Sequence, residues 1–69
     1  MQSVTIKPEF LDQAHAFQQR AESLRAQAET LDAVLAATYR RRASELELEA
    51  FVSEVQSGIP YAEVHLPAA

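Results

Sequence analysis

With 69 residues, no cysteine and a net charge of −4, the chain makes one small domain (1–69), without a disulfide or a thiolate metal site. A domain of this size buries only about 60 % of its unfolded surface, so tight helix packing, oligomerisation or a partner must add to its stability. The charge is uneven: residues 1–42 hold all six Lys and Arg beside five acids, about +1, whereas residues 43–69 hold five Glu and no Lys or Arg, −5. An acidic half of this kind prefers a basic surface.

Residues 3–7, SVTIK, alternate, with Val4 and Ile6 on one side and Ser3, Thr5 and Lys7 on the other, which is the period of a strand or extended arm over 1–7. Pro8 keeps Lys7 extended and suits the first position of a helix, whose positive end Glu9 and Asp12 complement. From Glu9 to Ser57 there is neither Gly nor Pro. Phe10, Ala14, Phe17, Ala21, Leu24, Ala28, Leu31 and Leu35 follow at alternating spacings of 4 and 3, a heptad seam with one large and one mostly alanine column. The seam predicts a long helix over 8–42 that packs tightly on another helix, of this chain or of a second copy, and makes these eight residues the candidate self-association surface of a homodimer. Arg40, Arg41 and Arg42 suit a helix C-terminus, and Ser44 to Glu47 reads as a capping box, so a break is expected near 42–44.

The second helix is expected over 44–57, with Leu48, Phe51, Val52 and Val55 at i, i+3, i+4 and i+7. Gly58 ends it and Pro60 prevents resumption, leaving an extended tail over 58–69. The expected architecture is all-α. Its alternative is a ribbon-helix-helix dimer, in which Ser3, Thr5 and Lys7 read DNA; that reading needs a turn near residues 20–27, where QRAESLRA offers no Gly, Pro or Asn. One lysine on the strand is also thin electrostatic support, so DNA is the weaker partner.

Catalytic groupings are missing. His15 and His65 lie fifty residues apart without a ligand-like neighbourhood, no glycine loop cradles phosphate, and the carboxylates are spread around helix faces. The expectation is a non-enzyme without cofactor or metal. No stretch is apolar enough for a signal peptide or a membrane span, so a soluble, cytoplasmic protein is expected.

FVSEVQSGIPYAEV, Phe51 to Val64, resembles the C-terminal stretch of small bacterial toxin–antitoxin antitoxins, in which a helix runs into a glycine and an Ile-Pro-x-x-Glu-Val element. The matching positions are Gly58, Ile59, Pro60, Glu63 and Val64. The layout of a strand-like start, helices and an acidic C-terminal arm is similar to the ParD-like class. The resemblance implies that the second helix and tail wrap a toxin and neutralise it, with repression of the protein's own operon as a further role. The residues fit such a contact: Leu48, Phe51, Val52 and Val55 in a groove, then past Ile59 an extended YAEVHL that Tyr61, Val64 and Leu66 anchor along a sheet edge, with Glu63 toward a basic surface; the equal alternative is a tail that packs on the chain's own long helix. The competing expectation is a helical assembly or chaperone-like subunit of a secretion or phage system that binds a partner helix through the heptad seam.

Overall fold

A computed structural model describes residues 5–67. Two α-helices, α1 (Pro8–Ala28) and α2 (Ala33–Ser57), form an antiparallel hairpin, followed by one turn of 3-10 helix at Tyr61–Glu63. The protein is all-α, with no strand among the described residues. Pairs such as Arg25 with Glu47 and Gln18 with Glu54 set the register between the helices.

Helix α1 starts as its sequence dictates: Lys7 is extended, Pro8 takes the first helical position and Glu9 sits in the first turn. Among the described residues of the arm before it, 5–7, no strand pairing forms. The Lys7 N–H donates to the Ser57 carbonyl at 2.8 Å, so the arm crosses the end of α2. Ser3 and Val4, the start of the expected strand, lie outside the described residues.

The single helix over 8–42 is corrected to two helices joined by Glu29–Asp32. Three i→i+3 bonds tighten the end of α1: Glu29 to Ala26, Thr30 to Gln27 and Leu31 to Ala28. The Asp32 carboxylate then accepts from the Val34 and Leu35 N–H groups, both at 3.1 Å, and so caps α2. The connection needs no left-handed residue, which is why no glycine or proline marks it. The break expected at 42–44 does not occur, and the second helix begins at Ala33 rather than at 44. Ser44 does not cap a helix; its hydroxyl accepts from Arg25 across the hairpin at 3.2 Å. Residues 20–27 are continuous helix, so the turn of a ribbon-helix-helix chain is not formed there.

The seam between the helices is built of alanine. Ala14, Ala21 and Ala28 on α1 and Ala36, Ala43 and Ala50 on α2, each set spaced by seven, are all buried, and Ser57 continues the second column. Small side chains let the two backbones approach, giving dense van der Waals contact but little apolar area per residue. Leu46 is the one large apolar side chain among the described residues that is fully buried, at 1 % exposure among Ala21, Ala43, Phe17 and Leu24. The result is thin: the molecule measures 55 × 21 × 12 Å, a single helix deep. Its radius of gyration, 14.3 Å, exceeds the about 11 Å expected of a compact chain of this length.

Candidate interaction surface

Helix α2 is apolar on two opposite sides. Its inner side, Ala36, Ala43, Leu46 and Ala50, packs on α1. At 3.6 residues per turn, Leu48 and Val52 each point about 160° away from Ala50, and Val55 about 140° away. These three are 54, 47 and 50 % exposed, and Val34, in phase with them one end of the helix earlier, is 77 % exposed. Helix α1 has no such second stripe: Asp12, Gln19 and Ser23 occupy its outer side. Between the helices, Phe17 joins Leu48 and Val52 in a groove edged by Gln13, Glu49 and Ser53.

The opposite flank of the hairpin is polar. Arg25 donates from Nη2 and Nε to the two oxygens of Glu47, at 2.6 and 3.2 Å. The hydrogen bond to Glu47 holds the guanidinium above its ordinary pKa, with burial opposing and the carboxylate charge adding. Toward the end of α2, Glu54 is a buried carboxylate, 2 % exposed. Its Oε1 accepts from the Gln18 side-chain amide and from the His65 backbone N–H, both at 3.1 Å. The His65 ring meets Oε2 through Nδ1 at 2.9 Å. The tail is thereby folded back onto its own helix.

Gly58 ends α2 in the left-handed region at φ 85°, its N–H bonded to the Val55 carbonyl at 3.2 Å. The expected extended run YAEVHL is corrected at its start: Tyr61–Glu63 closes a 3-10 turn through Glu63 N–H to Pro60 O at 2.8 Å, because Pro60 fixes the backbone that begins it. Tyr61, Glu63 and Leu66 are exposed, and Phe51, Ile59 and Val64 are half-buried. Leu48, Val52 and Val55 therefore share one face with Val34, while Phe51 turns toward the hairpin's flank and the tail residues lie beyond Gly58.

Of the residues expected to mediate self-association, Ala14, Ala21 and Ala28 are covered by α2 of the same chain. Phe10, Phe17, Leu24 and Leu31 flank them half-buried, and Leu35 stands exposed on the first turn of α2. Thr5 and Lys7 are exposed beside the end of α2, with the Lys7 ammonium 5.9 Å from the centre of the Phe10 ring. No group of three acidic or imidazole side chains suited to a metal occurs among the described residues, and none of their helices is long and apolar enough to cross a membrane.

The Glu54 cluster escaped the sequence because its members are 36 and 11 residues apart. The small column Ala36, Ala43, Ala50, Ser57 was missed, although its seven-residue spacing, the same as that of Ala14, Ala21 and Ala28, is the signal that could have found it. Fold and surface thus define an alanine-seamed helical hairpin with a solvent-facing apolar stripe. No protein-family model matches the chain, and no curated protein or solved structure is significantly similar to it.

Proposed function

We propose that this protein is an antitoxin-like binder that neutralises a partner protein through the outer side of α2 and the tail. The observation that carries this reading is the second apolar stripe of α2, Leu48, Val52 and Val55, half exposed on a helix whose other side is already packed. The stripe lies in the half of the chain that carries −5, so the fitting partner is a protein with an apolar groove set in a basic surface. Tyr61 and Leu66 extend the contact beyond Gly58, and the resemblance of residues 51–64 to antitoxin tails supports a toxin as that partner. The assembly-subunit reading relies on the heptad seam, of which the alanine column is occupied by α2, and it is the less favoured. No role in catalysis and no cofactor is assigned, and the proposed setting is the bacterial cytoplasm.

The test is co-expression with the product of the adjacent reading frame, reading growth and co-purification. Wild type should restore growth and co-purify. Leu48→Glu with Val52→Glu should lose both while keeping its helical circular dichroism. Growth restored equally by the helical double variant would overturn the reading.

A further inference from the structure

The outer side of α2 carries more than the three residues discussed above. Val34, Thr38, Arg41, Glu45, Leu48, Val52 and Val55 follow at spacings of 4, 3, 4, 3, 4 and 3, an unbroken heptad row over 22 of its residues, and all seven are exposed. At 1.5 Å per residue the row runs about 32 Å. Its middle holds one cation and one anion, and both ends are apolar.

From this row we infer that two copies of the chain pair through α2, antiparallel about a two-fold axis, with Arg41 of each opposite Glu45 of the other. The pattern is self-complementary, as an isologous interface requires. With Arg41 facing Glu45 of the second copy, the two-fold axis makes the same pair again in reverse. The same register sets Val34 against Val52 and Thr38 against Leu48, with Val55 beside the turn that precedes α2. Sliding by one heptad in one direction puts Arg41 against Val52 and Glu45 against Leu48, which buries both charges unpaired. Sliding the other way takes Val52, as well as Val55, beyond the start of α2 and sets Glu45 against Val34. One register satisfies both the charges and the apolar ends.

Within the chain Glu45 makes one long ion pair, 3.8 Å to the half-exposed Arg42, which is worth little at the surface and leaves the carboxylate able to turn to a second partner; Arg41 is exposed. The surface area points the same way. The chain exposes 5160 Å², whereas a compact monomer of this length exposes about 4300 Å². The surplus matches the about 800 Å² that each partner buries in a standard interface. The pairing rests on α2 alone and does not require the antitoxin reading. It shares Leu48, Val52 and Val55 with the proposed partner face, so a second copy and a toxin compete for them.

Analytical ultracentrifugation of the purified chain, with no partner present, tests the pairing. Wild type should sediment as a dimer at tens of micromolar. Arg41→Glu alone leaves two acids at the centre and Glu45→Arg alone leaves two bases; each should raise the dissociation constant at least tenfold while keeping wild-type helicity. Mixing these two variants should restore a dimer, because each acidic centre then meets a basic one. The doubly exchanged chain, Arg41→Glu with Glu45→Arg, should dimerise like wild type. A monomeric wild type at 1 mM (roughly the weak limit of specific association), single exchanges that dimerise unchanged, or a mixture that stays monomeric would each overturn it. These outcomes are read without the toxin, so they stand apart from the growth test.

Discussion

Replacing Gly58 by alanine should destabilise the hairpin by about 2 kcal/mol, from two separable causes. The first is local: Gly58 sits at φ 85°, ψ 11°, where an L-residue with a Cβ costs about 1 kcal/mol. The second comes from the arm. A Cβ at this position would stand 2.9 Å from the Thr5 carbonyl oxygen, which is backbone and not the movable end of a side chain. The arm must lift, and the Lys7 N–H to Ser57 carbonyl bond goes with it, a net loss of about 1 kcal/mol. For a domain of this size the sum lowers Tm by about 8–16 °C. Thermal melts followed by far-ultraviolet circular dichroism measure it, at one fixed chain concentration because any association makes Tm depend on it. Gly58→Asn separates the causes: asparagine tolerates the left-handed conformation better but brings the same Cβ, so it should retain about half of the loss. An alanine variant within about 0.5 kcal/mol of wild type, the range of ordinary surface changes, would refute the account of how arm and helix end fit together.

Leu46→Ala removes the one large, fully buried apolar side chain and should cost about 2–3 kcal/mol, at the lower end for such truncations because half-buried Phe17 and Leu24 can lean into the space; urea denaturation checks it, and an unchanged midpoint would contradict the packing described. Glu54→Leu removes the acceptor of the His65 backbone N–H and should abolish hydrogen-exchange protection at His65, while amides in the middle of α2 stay protected. Protection of His65 that persists in this variant would mean that the tail is held by something other than the carboxylate.

The all-helical character, the start of α1 at Pro8 and the end of α2 at Gly58 were legible because proline and glycine act through local backbone geometry. The turn was not. Asp32 is an ordinary N-cap residue, but its signal competed with a heptad pattern that runs across it by coincidence, since Leu31 lies in the connection and Leu35 on the following helix. Ser44 shows the reverse error: a Ser-x-x-Glu pattern that reads as a capping box instead supplies two partners for Arg25 across the hairpin. Such cross-helix pairs are set by the register of the hairpin, and the register follows from the turn. Leu48, Val52 and Val55 were identified by their spacing, but their relation to the packed side needed the alanine column of α2 to be placed first.

That column is why the proposed pairing falls to α2 and not to α1. A helix at the rim of a bundle needs one apolar stripe, and α1 has one, with Asp12, Gln19 and Ser23 opposite it. A helix with stripes on two opposite sides belongs between two layers. In the paired arrangement, the order α1, α2, α2 of the second copy, α1 of the second copy puts both two-sided helices inside and both one-sided helices outside. The tail is compatible with this order. The clip at Glu54 draws His65, Leu66 and Pro67 to the polar flank beside Gln18, Glu22 and Glu47. The folded-back tail therefore leaves Leu48, Val52 and Val55 about half exposed, as both the proposed pairing and the proposed partner contact require.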